Sequence, residues 1–281
     1  MFSVQTFGSL PALVALLTLL VGARADAQAC HAPDVRDRHQ RAVPFRSTFA
    51  ALAATYERDG YEGNYQGLYG TFAYNAPWFG AELLLPAYRL DRPLGVEYGL
   101  GDLTVTLRGA LLRAWEGDIE LGVELPLMLP TGDSKRELGM GRVMPMPDLY
   151  FSLHAHPLVL RAQAGYGHMI GEHEMPAETH AHHHPGAAHS MKMRSPIVNP
   201  MNDSEFEHAL LLGLGLRRDL SVHVRGWGAV PIADSMGVLR QAVAAGATAN
   251  WEWFDITLEV QRAVAGGAFE WKELLQLGAI F

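Results

Sequence analysis

The segment from Gly171 to Met193 concentrates the side chains that bind transition metals. Imidazole nitrogens bind Zn, Cu and Ni, and thioether sulfurs suit Cu(I). The spacing lacks the fixed ligand pattern of a structural zinc site, so it predicts weak, exchangeable capture of Cu or Zn. The alternative is a solvated polar loop whose composition alone is unusual. The candidate metal ligands are His173, His180, His182, His183, His184, His189, Met191 and Met193.

A second group of polar residues recurs at every other position, between apolar neighbours. If these residues face an enclosed lumen, acids and arginines will pair with one another across it. They could instead form a selectivity ring that polar solutes must pass, and both roles can hold together. The candidate pore-lining residues are Asp102, Arg108, Glu120, Glu124, Arg161, His223, Arg225, Glu252 and Glu259.

The elements that must position these side chains are β-strands. In Asp118–Leu127 the odd-numbered positions from Ile119 onward are apolar, and Glu120, Gly122 and Glu124 stand between them. A helix would scatter these residues around its surface, whereas a strand sorts them onto two faces. The same alternation recurs through the rest of the chain. It predicts twelve strands near 44–57, 64–75, 78–90, 99–114, 118–130, 147–156, 158–170, 205–217, 220–232, 240–252, 254–265 and 271–281.

The lengths of the predicted connections alternate in a way that indicates the architecture. The connections after even-numbered strands are all short, and the two longest, 131–146 and 171–203, follow odd-numbered strands. Short periplasmic turns and long outer loops are typical of outer-membrane barrels. Residues 44–281 are therefore predicted to form an all-β, transmembrane, antiparallel up-and-down β-barrel of about twelve strands, with 131–146 and 171–203 as extracellular loops.

Both ends of the chain predict export to the outer membrane. The apolar run Pro11–Val21 followed by Ala25-Asp26-Ala27 is typical of a secretory signal peptide, here residues 1–27. Residues 28–43 are predicted to form an N-terminal periplasmic segment or a plug in the lumen. The C-terminal Phe281 resembles the terminal aromatic of bacterial barrels, which implies recognition by the barrel-assembly machinery.

Composition supports a membrane partner and excludes two other classes. The chain is 49% hydrophobic and only 19% charged, which suits a barrel wall in contact with outer-membrane lipid. A formal charge of −8 argues against nucleic acid as a partner. No Gly-x-Ser-x-Gly, His-Glu-x-x-His or phosphate-loop motif is present, so we expect no enzyme and no required cofactor. Nothing in the sequence indicates the oligomeric state.

Residues 97–133 contain two motifs that resemble a known family. Gly101-Asp102-Leu103 opens one predicted strand, and the next ends in Leu125-Pro-Leu-Met-Leu-Pro-Thr-Gly-Asp133. This pair resembles the bacterial outer-membrane transporter-like family named for the meta-pathway of phenol degradation. The resemblance implies a barrel that passes small, often aromatic or apolar, compounds.

The sequence thus favours a channel or transporter-like barrel in the bacterial outer membrane that passes small solutes, and the family resemblance implies that these include apolar or aromatic ones. The alternative is a surface metal-binding outer-membrane protein that binds Cu, Zn or Ni through the His/Met-rich loop 173–193.

Overall fold

The computed structural model describes residues 45–58, 60–171, 197–198, 200–232, 237–266 and 269–280. No helix among these residues is both long enough and apolar enough to cross a membrane. The described residues form the strands β1 (Phe45–Arg58), β2 (Tyr61–Asn75), β3 (Phe79–Arg92), β4 (Gly95–Leu100), β5 (Leu103–Ala114), β6 (Ile119–Leu129), β7 (Met144–Pro145), β8 (Asp148–Ala155), β9 (Leu158–His168), β10 (Ser204–Gly215), β11 (Leu220–Pro231), β12 (Arg240–Asn250), β13 (Phe254–Ala265) and β14 (Trp271–Ile280).

The sheet closes on itself. β1 pairs antiparallel with β14, from Arg46 opposite Ile280 to Ala54 opposite Lys272, and it pairs with β2 on its other side. Twelve strands form the antiparallel ring, while the short β4 and β7 pair with β3 and β6 just ahead of β5 and β8. Closure leaves no free edge, which is the condition for a sheet to span a bilayer. The predicted twelve-stranded barrel is confirmed.

One predicted strand is interrupted. The strand expected over 99–114 breaks between β4 and β5, at Gly101 and Asp102. The hydroxyl of Thr131 donates to the carbonyl oxygen of Gly101 at 2.9 Å and accepts from the N–H of Leu103 at 2.8 Å. The Thr131 side chain thus makes the hydrogen bonds to Gly101 and Leu103 that backbone groups of a neighbouring strand would otherwise make. The backbone hydrogen-bond ladder is therefore interrupted at this point.

The connections lie at two rims. The short-turn rim carries 76–78, 115–118, 156–157, 216–219 and 251–253. The opposite rim, the long-loop rim, carries the connections 130–143 and 169–203. The segment 130–143, here called the inward loop, includes a turn of 3₁₀ helix at Ser134–Arg136. The alternation of lengths predicted from sequence is present, and the assignment of the long-loop rim to the cell exterior remains a prediction.

The outer wall is apolar. Outward positions of the strands carry large exposed side chains, including Leu107, Leu149 and Leu258, each more than half exposed. Aromatic rings are enriched at membrane–water interfaces because they combine apolar area with polar character. Exposed aromatic side chains mark the short-turn rim at Trp78, Phe79, Trp115, Trp251, Trp253 and Phe254.

The outer wall supports a first prediction. Leu258 lies near the middle of β13, is 59% exposed, and faces outward. Replacing it with arginine should lower the free energy of unfolding from lipid vesicles by about 2–4 kcal/mol, because a charge would enter the hydrocarbon layer. Urea titration of the refolded protein measures this.

Leu94 is the matched control because it is 96% exposed in the turn between β3 and β4, at the rim. Leu94→Arg should cost about 0–1 kcal/mol. Equal losses for both variants would contradict a lipid-facing wall at Leu258.

Candidate functional site

The candidate site is the lumen, and the strand registers decide which side chains enter it. Glu259 is the register partner of Gly246 on β12 and of Leu274 on β14. These three residues lie on the face of the sheet that points into the barrel. Inward positions in the half of the barrel near the short-turn rim are mostly polar. The sequence-predicted residues found at inward positions are Arg108, Glu120, Glu124, Arg161, His223, Arg225 and Glu259.

One buried network in the lumen joins β11 to β13. Arg225 donates to both carboxylate oxygens of Glu259, from Nε at 2.9 Å and from Nη2 at 2.5 Å. His223 Nε2 lies 2.9 Å from Glu259 Oε2, and Gln261 donates to Glu259 Oε1 at 2.6 Å. The guanidinium of Arg225 also lies over the ring of Trp227, 4.2 Å from its centroid. One carboxylate is therefore held by three side chains, which fixes its position in the wall.

A second network joins β5, β6, β8 and β9. Arg161 donates to Glu124 at 2.7 Å and lies 4.7 Å from the ring centroid of Tyr150. The hydroxyl of Tyr150 donates to Glu120 at 2.6 Å, and Glu120 forms an ion pair with Arg113 at 3.2 Å. Charges of opposite sign are thus paired along this part of the lumen, as the salt-bridge interpretation of the sequence predicted.

Arg46 and Asp255 are among the lumen residues that escaped the sequence analysis. Arg46 donates to both oxygens of Asp255, at 2.7 and 2.6 Å, and joins β1 to β13 near the short-turn rim. Asp255 continues the polar row of Thr257 and Glu259, so the alternation could have identified it. Arg46 gave no such signal, because both faces at the start of β1 carry polar residues. Its role appears only when β1 closes the ring.

Asp102 was predicted to line the pore, and it faces inward, but its partners are backbone groups of the inward loop. Its carboxylate accepts the N–H of Gly132 at 2.9 Å and the N–H of Met140 at 2.6 Å. It is 5% exposed. The two motifs of residues 97–133 therefore contact each other, and their contact ties the inward loop to the wall.

Glu252 is the one pore-lining candidate that the structure places elsewhere. β12 ends at Asn250, and the N–H of Trp251 donates to the carbonyl of Phe254 at 2.8 Å. This hydrogen bond closes a tight turn, so the strand alternation ends before Glu252. Its side chain is exposed at the short-turn rim, and its predicted position in the lumen was wrong.

An apolar cluster lies in the lumen near the long-loop rim, where buried ion pairs such as Arg240–Glu205 are also present. Leu138 of the inward loop is 1% exposed and packs into a cluster inside the barrel. Glu137 beside it forms ion pairs with Arg58 at 3.1 Å and Arg92 at 3.6 Å, which hold the loop to the ends of β1 and β3. The buried members of this cluster are Ala50, Leu52, Ala54, Tyr56, Tyr65, Tyr88, Leu90, Leu138, Ile197, Val198, Trp227, Ala242, Ala244, Phe269 and Leu274.

The metal ligands predicted from sequence lie outside the described residues. This applies to His173, His180, His182, His183, His184, His189, Met191 and Met193, as it does to residues 1–43 and Phe281. Within the described ranges, no three His, Cys, Asp or Glu side chains come close enough to hold a metal ion. Metal capture by the segment 173–193 stays a prediction.

No protein-family model matches the chain, and no curated protein matches it in sequence. Solved structures with a similar fold are known. The KdgM porin has a TM-score of 0.50 at 6% identity, over 84% of this chain and 99% of the porin. The NanC porin has a TM-score of 0.52 at 7% identity, over 83% and 98%. The transport unit of the autotransporter AIDA-I from Escherichia coli has 0.50 at 10%, over 99% of both chains.

At identities this low, the structural similarity shows a shared fold. This fold, the closed ring, the exposed apolar wall and the aromatic rim together determine the cellular location of the protein. The protein is a bacterial outer-membrane β-barrel. Its outer wall contacts lipid, and its lumen holds paired charges together with an apolar cluster.

Proposed function

We propose that the barrel is a channel that passes small solutes across the outer membrane and favours apolar or aromatic compounds. The observation that carries this proposal is the apolar cluster inside the barrel. Aromatic and aliphatic side chains form it, and charges elsewhere in the lumen are paired, as in Arg225–Glu259 and Arg240–Glu205. A solute that crosses must lose its contacts with water and pass along aromatic rings such as those of Tyr65, Tyr88 and Trp227.

The pairing of charges is consistent with an uncharged solute. The carboxylates of Glu124, Asp255 and Glu259 each have an arginine within 2.7 Å. Paired charges project a weaker field into the lumen than isolated ones, so they neither concentrate nor exclude ions strongly. Discrimination among neutral solutes then depends on the apolar cluster, where the rings of Tyr69 and Tyr88 pack edge to face with centroids 5.8 Å apart.

Two similarities support the same proposal. The KdgM and NanC structures are those of porins, and KdgM has also been solved in complex with a disordered oligogalacturonate. The motifs Gly101-Asp102-Leu103 and Pro130-Thr-Gly-Asp133 resemble the phenol meta-pathway family, whose presumed solutes are small and often aromatic.

Solute flux tests the proposal. Liposomes containing the refolded protein are exposed to phenyl glucoside or to glucosylglycerol, two neutral solutes of similar mass that differ in the aromatic ring. We expect phenyl glucoside to enter faster than glucosylglycerol, and both to enter faster than into protein-free liposomes. Light scattering during liposome swelling measures the two rates.

The inward loop occupies the lumen, so the wild-type rates are expected to be low, and the variant Asp102→Ala is measured beside the wild type. Absence of flux above protein-free liposomes in both proteins would refute the channel. Equal rates for the two solutes would refute the preference for aromatic compounds.

A further inference from the structure

Six methionines form a single buried cluster inside the barrel, beside the apolar cluster described above. They come from the end of β6, from the segment that leads through β7 to β8, and from the residues that flank the connection between β9 and β10. Their exposed fractions lie between 0 and 6%. The six are Met128, Met140, Met144, Met146, Met169 and Met201.

The need to fill apolar space does not by itself explain why all the side chains in this cluster are methionine. Methionine loses more rotamer freedom on burial than leucine does, so it is the costlier way to fill apolar space. The chain has 11 methionines, and six of them converge here with no leucine, isoleucine or phenylalanine in the same cluster. What the thioether adds is a soft, polarisable sulfur, and this ligand selects Cu(I) among biological metals.

The strand geometry brings three of these side chains together. Met128 and Met144 are register partners in the β6–β7 pair. Met144 and Met146 are two residues apart, so their side chains leave the backbone on the same side. Both reach Gly167, where the Met144 methyl and Met146 Cγ meet the position that a Cβ would occupy. The absence of a side chain at residue 167 makes room for this approach.

A carboxyl group borders the cluster. Glu207 Oε1 lies 3.3 Å from the same Cβ position of residue 167. Arg240 is the ion-pair partner of Glu205, and it also donates to the sulfur of Met201 at 3.4 Å. The sulfur of Met201 is therefore engaged by Arg240, whereas the Met144 and Met146 side chains meet beside the Glu207 carboxyl group.

We propose that this cluster binds one soft monovalent ion of the copper group, Cu(I) or its analogue Ag(I). Met128, Met144 and Met146 supply the sulfur ligands, and the carboxyl oxygen of Glu207 lies beside them. Met140, Met169 and Met201 exclude water around them. The site is separate from the histidine-rich segment 173–193, and it goes beyond the proposed passage of organic solutes.

Titration with Ag(I), which needs no reductant, tests the site in the refolded full-length protein. The titration is run at about pH 5, where imidazoles are protonated and thioethers are unchanged. We expect one tightly bound Ag(I) per chain by calorimetry. In protein labelled with ¹³C at the methionine methyl groups, the signals of the buried methionines should shift at one equivalent.

Paired variants locate the binding. Met144→Leu/Met146→Leu conserves volume and removes two sulfurs, and it should weaken Ag(I) binding at least tenfold. Met236→Leu makes the same kind of change at a methionine outside both the cluster and the segment 173–193, and it should leave the affinity unchanged. Met128→Leu is the substitute if the double variant does not fold. No binding at pH 5, buried methyl signals that do not move, or equal losses in the cluster variant and Met236→Leu would overturn the proposal.

Discussion

Asp102→Ala is expected to open the barrel, raising the solute flux and ion conductance about a hundredfold over the wild type. Asp102 accepts the N–H groups of Gly132 and Met140, and both hydrogen bonds hold the inward loop against the wall. Two hydrogen bonds to a charged group contribute about 3 kcal/mol or more together. A change of about 3 kcal/mol shifts a two-state equilibrium by about two powers of ten. The displaced loop takes Leu138 out of the apolar cluster.

Single-channel recording in planar bilayers measures this effect as the fraction of time spent open. Asp133→Ala is the matched control. Asp133 caps the short 3₁₀ helix of the same loop by accepting from Lys135 and Arg136, and its carboxylate forms an ion pair with Arg136 of that loop at 3.3 Å. Its replacement should leave conductance near the wild-type level. If Asp102→Ala and Asp133→Ala behave alike, the inward loop does not gate the lumen.

Glu259→Gln is expected to cost about 3–5 kcal/mol of stability and to shift ion selectivity toward anions. The substitution leaves Arg225, which is 6% exposed, without its carboxylate partner. Removing one member of a buried ion pair is destabilising by this amount because the other charge stays buried. It also adds one net positive charge to the middle of the lumen. Urea unfolding in lipid vesicles measures the stability, and the reversal potential in a salt gradient, recorded in the Asp102→Ala background, measures the selectivity.

Glu273→Gln supplies the comparison for this variant. Glu273 lies on the neighbouring strand β14, opposite Val260, and its side chain is exposed on the outer wall. It should change stability little and selectivity not at all. The double variant Arg225→Met/Glu259→Leu should recover most of the lost stability, because a matched apolar pair removes the unpaired charge. A selectivity shift in Glu273→Gln equal to that in Glu259→Gln would place the charge effect outside the lumen.

The sequence predicted the wall with few errors. Period-two alternation depends only on which face of a strand contacts lipid, so it can be recognised in each segment of the sequence alone. It located the strands to within a few residues. The placement of Glu124, Arg161 and Glu259 at inward positions follows from the same alternation. The error at Glu252 arose where the alternation continues for two residues into a turn that a backbone hydrogen bond closes.

The contents of the lumen could not be obtained in this way. Leu138 and Met140 lie in a largely polar connection, and they are directed inward by the hydrogen bonds between Asp102 and the loop backbone and by the ion pairs of Glu137. Arg46 and Asp255 are 209 residues apart in sequence and meet only because β1 closes on β14. The six methionines are spread from residue 128 to residue 201, with no spacing that marks them as neighbours.

The sequence by itself determined a membrane barrel with about twelve strands, its inner and outer faces, and the order of short and long connections. The tertiary structure decided which charges pair inside the lumen, and that the inward loop, an apolar cluster and six methionines lie near the long-loop rim. The physical reason is that alternation is a property of each strand alone. Pairing across a lumen depends instead on which strands closure brings together and on which way a loop folds.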